Sequence, residues 1–267
     1  MILGISSFTF GWAVGAPGYE PSCPLDEHGL LDYCRNQGVS LLQFGDNLPL
    51  HTFSETRLDR LASRAAAEGV RLEVGSRGLT LERVAVYAAI ARRVGAKLIR
   101  FVIDDANYQP SPEVVIALLQ QSLPLLQGLC IGIENHDRFT AMELRNILVA
   151  VDSDRVGVCL DTANSLGAGE GIEAVSVVLA PFTLNLHIKD FHVERLPYKM
   201  GFTVMGRPAG AGMLNLPLLL NTLRPHNRCA TAILELWPPP EADLTATIEK
   251  ESAWAVQSLN YLKTYFP

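Results

Sequence analysis

Eight apolar runs rich in Val, Ile and Leu recur along this 267-residue chain at intervals of roughly 30 residues. They occupy 2–6, 39–44, 71–75, 97–103, 129–134, 156–161, 183–189 and 231–236. A strand that reads as continuously apolar has both faces covered, as in a parallel sheet. The intervening segments carry helical patterns. In 80–94 the spacing places Leu81, Val84, Ala85, Ala88, Ala91 and Val94 on one face, with Arg83, Arg92 and Arg93 largely off it. Ser111-Pro112-Glu113 has an N-cap, a proline at the first helical position and an acid in the first turn, and Ser54-Glu55 is a second such start. Gly38, Gly69 and Gly95 each follow a helical pattern and precede an apolar run, where a left-handed residue ends a helix.

Eight strands alternating with helices predict a (β/α)8 TIM barrel. A doubly wound open sheet is the alternative, but no glycine-rich dinucleotide fingerprint follows the first run. No segment has linker composition, so residues 1–267 are expected to form a single domain, a size common for such barrels.

The composition, 48% hydrophobic and 19% charged, is that of a globular protein. A formal net charge of −6 gives no broad attraction to nucleic acid or anionic membranes, so neither is expected as a partner. The first Lys or Arg is Arg35, and no apolar run is long enough to span a bilayer. The five cysteines are scattered without a CxxC pair, which reads as free thiols in a reducing, cytoplasmic compartment. Homo-oligomerisation is left open.

The last four runs end in, or just before the end carry, a residue suited to a divalent metal: Glu134, Asp161, His187 and Glu235. Alone, each reads equally well as a helix cap or a rim salt bridge. On neighbouring strands of one barrel they would converge at its C-terminal end, where barrel enzymes do their chemistry. Three crowded carboxylates raise one another's pKa unless a cation neutralises them. Oxygen-rich ligation with one imidazole suits a single Mn, Co, Mg or Zn ion. A substrate with a carbonyl beside a hydroxyl would chelate such an ion, which stabilises the enediolate left by proton loss.

Other residues are candidates near that end. Lys189 follows His187 by two and therefore points the same way along a strand. It would contact substrate, or pair with Asp161. Asn164 would bond a substrate hydroxyl or cap a helix. Arg207 would meet an anionic group or remain a solvated loop charge. Trp12 and Trp237, just past the first and last runs, would wall a sugar ring or pack the rim. His136 lies two after Glu134, as a substrate contact or a cap, and Arg100 is mid-strand and expected to be ion-paired. The segments 7–24 and 191–213 are long strand-to-helix loops, expected as lids or walls.

The segments Gly132-Ile133-Glu134-Asn135-His136, Cys159-Leu160-Asp161-Thr162-Ala163-Asn164, Leu186-His187-Ile188-Lys189-Asp190 and Leu234-Glu235-Leu236 resemble those of the xylose isomerase-like TIM barrel superfamily. The likeness spans most of the chain and is specific mainly from Ile131 onward. It implies Glu134, Asp161, His187 and Glu235 as ligands of one metal, with Glu134 and Glu235 also the acid/base pair and Lys189 assisting. The activity implied is isomerisation or epimerisation of a small sugar or keto-polyol. A dehydratase acting on an inosose or a dehydroshikimate-like compound is the alternative, and a non-catalytic sugar-binding barrel a third. The superfamily's three-zinc endonucleases need histidines that this chain lacks: its third and fourth runs carry none, and Asn164 stands three after Asp161. The two-metal arrangement of xylose isomerase itself needs further carboxylates, for which Asp190 is the one candidate.

Overall fold

The eight apolar runs become eight parallel strands that close on themselves. In the computed structural model, which describes residues 1–266, they are β1 (Ile2–Ser6), β2 (Leu41–Phe44), β3 (Arg71–Arg77), β4 (Leu98–Val102), β5 (Cys130–Glu134), β6 (Val156–Asp161), β7 (Thr183–Ile188) and, after an inserted hairpin, β10 (Thr231–Leu234). Their order around the barrel is β1-β10-β7-β6-β5-β4-β3-β2. Parallel neighbours require crossover connections. Helices supply these: α1 (Gly11–Val14), α2 (Glu27–Gln37), α3 (Glu55–Ala67), α4 (Leu81–Val94), α5 (Pro112–Ser122), α6 (Ala141–Val151), α7 (Ile172–Leu179) and α8 (Leu216–Leu223), while α9 (Leu244–Leu262) follows the last strand and packs beside α1.

The punctuation follows the sequence in most places. Ser54 and Thr80 cap α3 and α4, accepting from the backbone N–H groups of Arg57 and Arg83. Gly38 and Gly95 end α2 and α4 with left-handed φ of 63° and 76°. Ser111 precedes α5, but its hydroxyl donates to Glu113 and caps no backbone group. The buried face of α4 also differs from expectation. Tyr87 and Ile90 are covered, while Leu81 and Ala85 face solvent. This helix packs on α3 and on the short turn Leu50–Thr52 as well as on the barrel, and that turns its covered arc.

Both long loops carry structure. The first contains a 3-10 turn, Ser7–Phe10, and α1. The second contains an antiparallel hairpin, β8 (Asp190–Arg195) with β9 (Phe202–Arg207). A half-exposed two-stranded ribbon has no continuous apolar run, so it left no strand signature in the sequence. Among the described residues no helix is long and apolar enough to cross a membrane. All five cysteines are free; Cys34 and Cys159 are buried, whereas Cys23 is exposed.

Candidate metal-binding active site

The four ligand candidates meet at the C-terminal end of the barrel. Glu134 and Asp161 are the last residues of β5 and β6, and His187 is the penultimate residue of β7, paired in register with Asp161. Glu235 falls one residue past β10, with its N–H bonded to the carbonyl of Ile188. All four are buried.

His187 is held from below. Its Nε2–H donates to Gln43 Oε1 at 2.7 Å, and the Gln43 amide nitrogen donates to Glu73 at 2.9 Å and to Asn185 at 3.3 Å. Gln43 therefore presents only its oxygen to the imidazole, which leaves Nδ1 facing the carboxylates. That atom lies 3.3 Å from Glu134 Oε2, 3.3 Å from Glu235 Oε1 and 3.9 Å from Asp161 Oδ2. Burial opposes a charge on His187, but Glu235 and Glu134 outweigh it and raise the pKa. The field that draws a proton to Nδ1 draws a metal cation equally.

Asp161 is oriented by the chain around it. Its Oδ1 accepts from the N–H groups of Ala163 (2.8 Å) and Asn164 (2.9 Å), and its own N–H donates to Asn135 Oδ1 at 2.6 Å. Oδ2 is left toward the centre. Asp161 Oδ2, His187 Nδ1 and Glu235 Oε2 accept no well-formed hydrogen bond, and the two carboxylate oxygens have only the Lys189 ammonium, 2.9 Å from each. Buried polar atoms seldom lack a well-formed partner. Three on adjacent strands, with Asp161, His187 and Glu235 each offering an atom within 4.8 Å of the others, fit a shared cation. Ligand atoms at roughly 2.0–2.2 Å from an ion stand about 3–4 Å apart, as His187 Nδ1 does from Glu235 Oε1 and from Asp161 Oδ2. Glu134, Cys159 and His187 form a second close triple. Burial pushes the Cys159 thiol well up, and its Sγ–H donates to Asn185. That leaves the carboxylate–imidazole set as the candidate metal site.

Two fixed cations also enter the cluster. Lys189 Nζ lies 2.9 Å from both Asp161 Oδ2 and Glu235 Oε2, the pairing expected for an inward barrel lysine extended to a second carboxylate. Arg100 reaches in from β4, its Nε donating to Glu134 and its Nη1 to Asp46 at 2.7 Å. Gly75, its register partner on β3, makes room: a Cβ there would stand 3.2 Å from Arg100 Cδ and 2.9 Å from the Phe44 carbonyl. The other Glu134 oxygen accepts from Asn164 Nδ2 at 2.7 Å. Both oxygens of Glu134 are thus engaged. Burial would raise its pKa, but Arg100, His187 and Lys189 together outweigh this and hold the carboxyl well below the usual range. Glu235 Oε1 accepts from Ser6 Oγ at 3.0 Å.

The cavity above this centre has two lobes. A lobe of about 450 Å³ is lined by Phe8, Asn164, Lys189, Val204, Leu236 and Trp237, among others. A smaller one, about 200 Å³, is lined by Arg77, Arg100, Glu134, His136, Lys189 and Glu235 together with Phe8, Asp46 and Val102. Asn164, Lys189, Trp237 and His136 are therefore on the cavity, His136 with its Nδ1 3.1 Å from Asp137. Trp12 and Arg207 are not brought there. Trp12 lines a separate hollow beside Trp237, and its indole N–H donates to the Pro238 carbonyl at 3.0 Å. Arg207 is tied to Glu194 across the hairpin. Asp190 serves no second metal. Its carboxylate accepts from the N–H groups of Phe191, Gly210, Gly212 and Leu214 and so shapes the loop after β9. Sequence reasoning missed Gln43, Asp46, Glu73, Arg77 and Asn135. Only the inward register of 43 and 73, polar residues inside apolar strands, signalled the first and third.

Comparison with known proteins gives a consistent frame. The profile described as xylose isomerase-like TIM barrel matches residues 31–265. The 3-oxo-isoapionate decarboxylase of Pectobacterium atrosepticum is 32% identical over 269 residues, covering 100% of this chain and 97% of that protein. The structure of D-psicose 3-epimerase with D-tagatose from Clostridium cellulolyticum H10 superposes with a TM-score of 0.73 at 16% identity, over 100% of this chain and 99% of the other. A xylose isomerase-like TIM barrel protein from Mycobacterium smegmatis in complex with magnesium gives 0.71 at 14% identity, over 97% of each chain.

Proposed function

Because the chain belongs to the xylose isomerase-like TIM barrel family and is a sugar-modifying enzyme of it, we propose that it is a divalent-metal-dependent decarboxylase of a 3-oxo sugar acid. Decarboxylation lies outside the reactions anticipated from sequence, which were isomerisation, epimerisation and dehydration. The enediolate chemistry is shared with them. A 3-oxo acid carries its ketone β to the carboxylate. When the bond to the carboxylate breaks, the electron pair passes to the ketone oxygen as an enediolate, neutral CO2 departs, and the carbon then takes a proton.

One observation carries this reading over the others. Isomerisation, epimerisation and dehydration begin by removing a proton from carbon, which needs a free base within reach. Glu134 has one oxygen on Arg100 and the other on Asn164. Glu235 is shared between Ser6 and Lys189. Loss of CO2 needs no base.

Asp161, His187 and Glu235 would hold the ion, with Glu134 beside His187 as a fourth ligand. A bound Mn, Mg, Co or Zn ion supplies a Lewis acid for the ketone oxygen as it gains charge. Lys189, with Nζ at the junction of the two lobes, is the group that returns a proton to carbon. Asn164 positions a substrate hydroxyl while it restrains Glu134. Phe8, Leu236 and Trp237 give the larger lobe an apolar wall. Residues 1–267 act as one domain on a small-molecule substrate without nucleic acid or membrane. Five free cysteines suit a cytoplasmic location.

The direct test is CO2 release from 3-oxo-isoapionate by manganese-loaded protein, against an Asp161→Ala variant and an EDTA control. Release that depends on metal and on Asp161 supports the reading. Epimerisation of ketoses at comparable rates with no CO2 from the acid would replace it.

A further inference from the structure

The smaller lobe of the cavity is bordered by two arginines whose hydrogen-bonding capacity is only partly spent. Surface arginines of this chain grip one carboxylate with two nitrogens: Arg57 on Glu27, Arg93 on Asp59 and Arg138 on Asp104, at 2.5–2.9 Å. Arg100 and Arg77 do not. Arg100, almost wholly buried, divides its fork between Glu134 and Asp46, which engages its Nε and Nη1, and its side chain lines the lobe. Arg77 stands at the end of β3, its Nη1 donating one long hydrogen bond to Asp46 at 3.5 Å and its Nε 3.8 Å from Asp105. Both side chains border the lobe that also touches Glu134, Lys189 and Glu235.

The charge count points the same way. Four carboxylates, Asp46, Glu134, Asp161 and Glu235, face three fixed cations, Arg77, Arg100 and Lys189. Leaving aside Asp105, which is about half exposed and 3.8 Å from Arg77, a divalent ion would leave one positive charge in excess. A single negative charge from outside would balance it, and arginine donors in a planar fork match a carboxylate.

We infer that Arg77, with Nη2 of Arg100, forms a carboxylate-binding subsite beside the metal centre, which selects sugar acids over neutral ketoses. This rests on the metal-dependent reading above, since the charge balance includes the ion. Arg77 is a specificity residue whose side chain is 44% exposed, so water can solvate it once the substrate carboxylate has left as neutral CO2. Arg100 is the anchor, fixed by Glu134 and Asp46, that aims its remaining N–H at the same anion. The order of binding energies follows: a monoanionic carboxylate fits, a neutral sugar gains nothing there, and a dianionic phosphate overcharges the site.

The test uses manganese-loaded full-length protein and two probes, D-erythronate (a carboxylate) and dihydroxyacetone (a neutral ketone with an adjacent hydroxyl), titrated calorimetrically into wild type and Arg77→Gln. The substitution should weaken erythronate about 10- to 100-fold, as loss of a charge-assisted contact does. Dihydroxyacetone affinity and manganese affinity should stay within about 3-fold. In turnover of 3-oxo-isoapionate, Arg77→Gln should raise KM with kcat little changed. Equal weakening of both probes, no change in either, or inorganic phosphate binding tighter than erythronate would overturn the subsite. The two readings separate cleanly. Arg77-dependent erythronate binding without CO2 release would keep the subsite and discard the decarboxylase. CO2 release indifferent to Arg77 would do the reverse.

Discussion

Gln43 Oε1 accepts a 2.7 Å hydrogen bond from His187 Nε2–H, and the Gln43 amide is itself fixed by Glu73. This pairing decides which imidazole nitrogen faces the carboxylates. Groups behind a metal ligand commonly govern its affinity by 10- to 100-fold. Gln43→Leu should therefore weaken manganese binding by about that factor, measured by competition with a chelating dye, although Gln43 is not one of the proposed ligands. Unchanged affinity would mean that Nδ1 is not the ligand atom.

Arg100 and Glu134 form an ion pair with both partners buried. Removing one member of such a pair leaves the other as an uncompensated charge, at a cost of about 3–5 kcal/mol. Arg100→Met should lower the unfolding free energy by that order in urea, and a loss within experimental error would show that Glu134 is neutralised by something else. Replacing Glu134 as well, with Gln, should recover part of the loss, because the stranded charge is gone.

Glu251 on α9 gives a pH signature distant from the metal centre. Its two oxygens accept from the N–H groups of Trp12 and Ala13, at 2.9 and 3.0 Å. Burial pushes its carboxyl up to about 7, with those backbone bonds opposing the rise. An acid whose folded pKa exceeds its unfolded one binds a proton more tightly when folded. Its contribution is full below the unfolded value near 4.5 and is lost as pH rises toward the folded one. Between about pH 4.5 and 7 this group alone should reduce stability by roughly 2–3 kcal/mol. Chemical denaturation across that range checks it, and Glu251→Gln should remove this slope while other groups continue to titrate. An identical slope in the variant would place the titration elsewhere.

Much of this arrangement was legible in the sequence, and the reason is the period of the fold. A strand buried on both faces must be apolar along its length, so eight runs announced eight strands, and each charged residue ending a run stood out. Glu134, Asp161, His187 and Glu235 meet as their positions implied. The metal argument from carboxylate crowding needed amendment, because Arg100 and Lys189 already neutralise part of the charge. Arg100 was legible only as ion-paired, since nothing local says that Gly75 opens the space for it. Arg77 and Asp46 gave no signal, lying at strand ends where charged residues are ordinary. The hairpin at Asp190–Arg207 was invisible for want of an apolar run, and with it the Glu194 partner that removes Arg207 from the cavity. The reaction depended most on such contacts: the ligand set is common to several chemistries, and the engagement of both Glu134 oxygens is a tertiary fact.

Lys189 lies between Asp161 and Glu235 and has the only ammonium group in the smaller lobe. Lys189→Met should retain manganese, measured directly, yet slow turnover by about 100-fold or more as proton return to carbon is lost. Turnover near wild type with Lys189→Met would assign the proton to another group or to water.

The most direct measurement is turnover of 3-oxo-isoapionate in D2O by manganese-loaded protein, with CO2 and the isotopic content of the product determined together. Decarboxylation without a carbon base predicts one CO2 per product molecule, a single non-exchangeable deuterium at the carbon that lost the carboxylate, and no deuterium entering neutral ketoses in parallel reactions. Metal-dependent deuterium exchange into ketoses, with no CO2 from the acid, would contradict it and return Glu134 or Glu235 to the role of a proton-abstracting base.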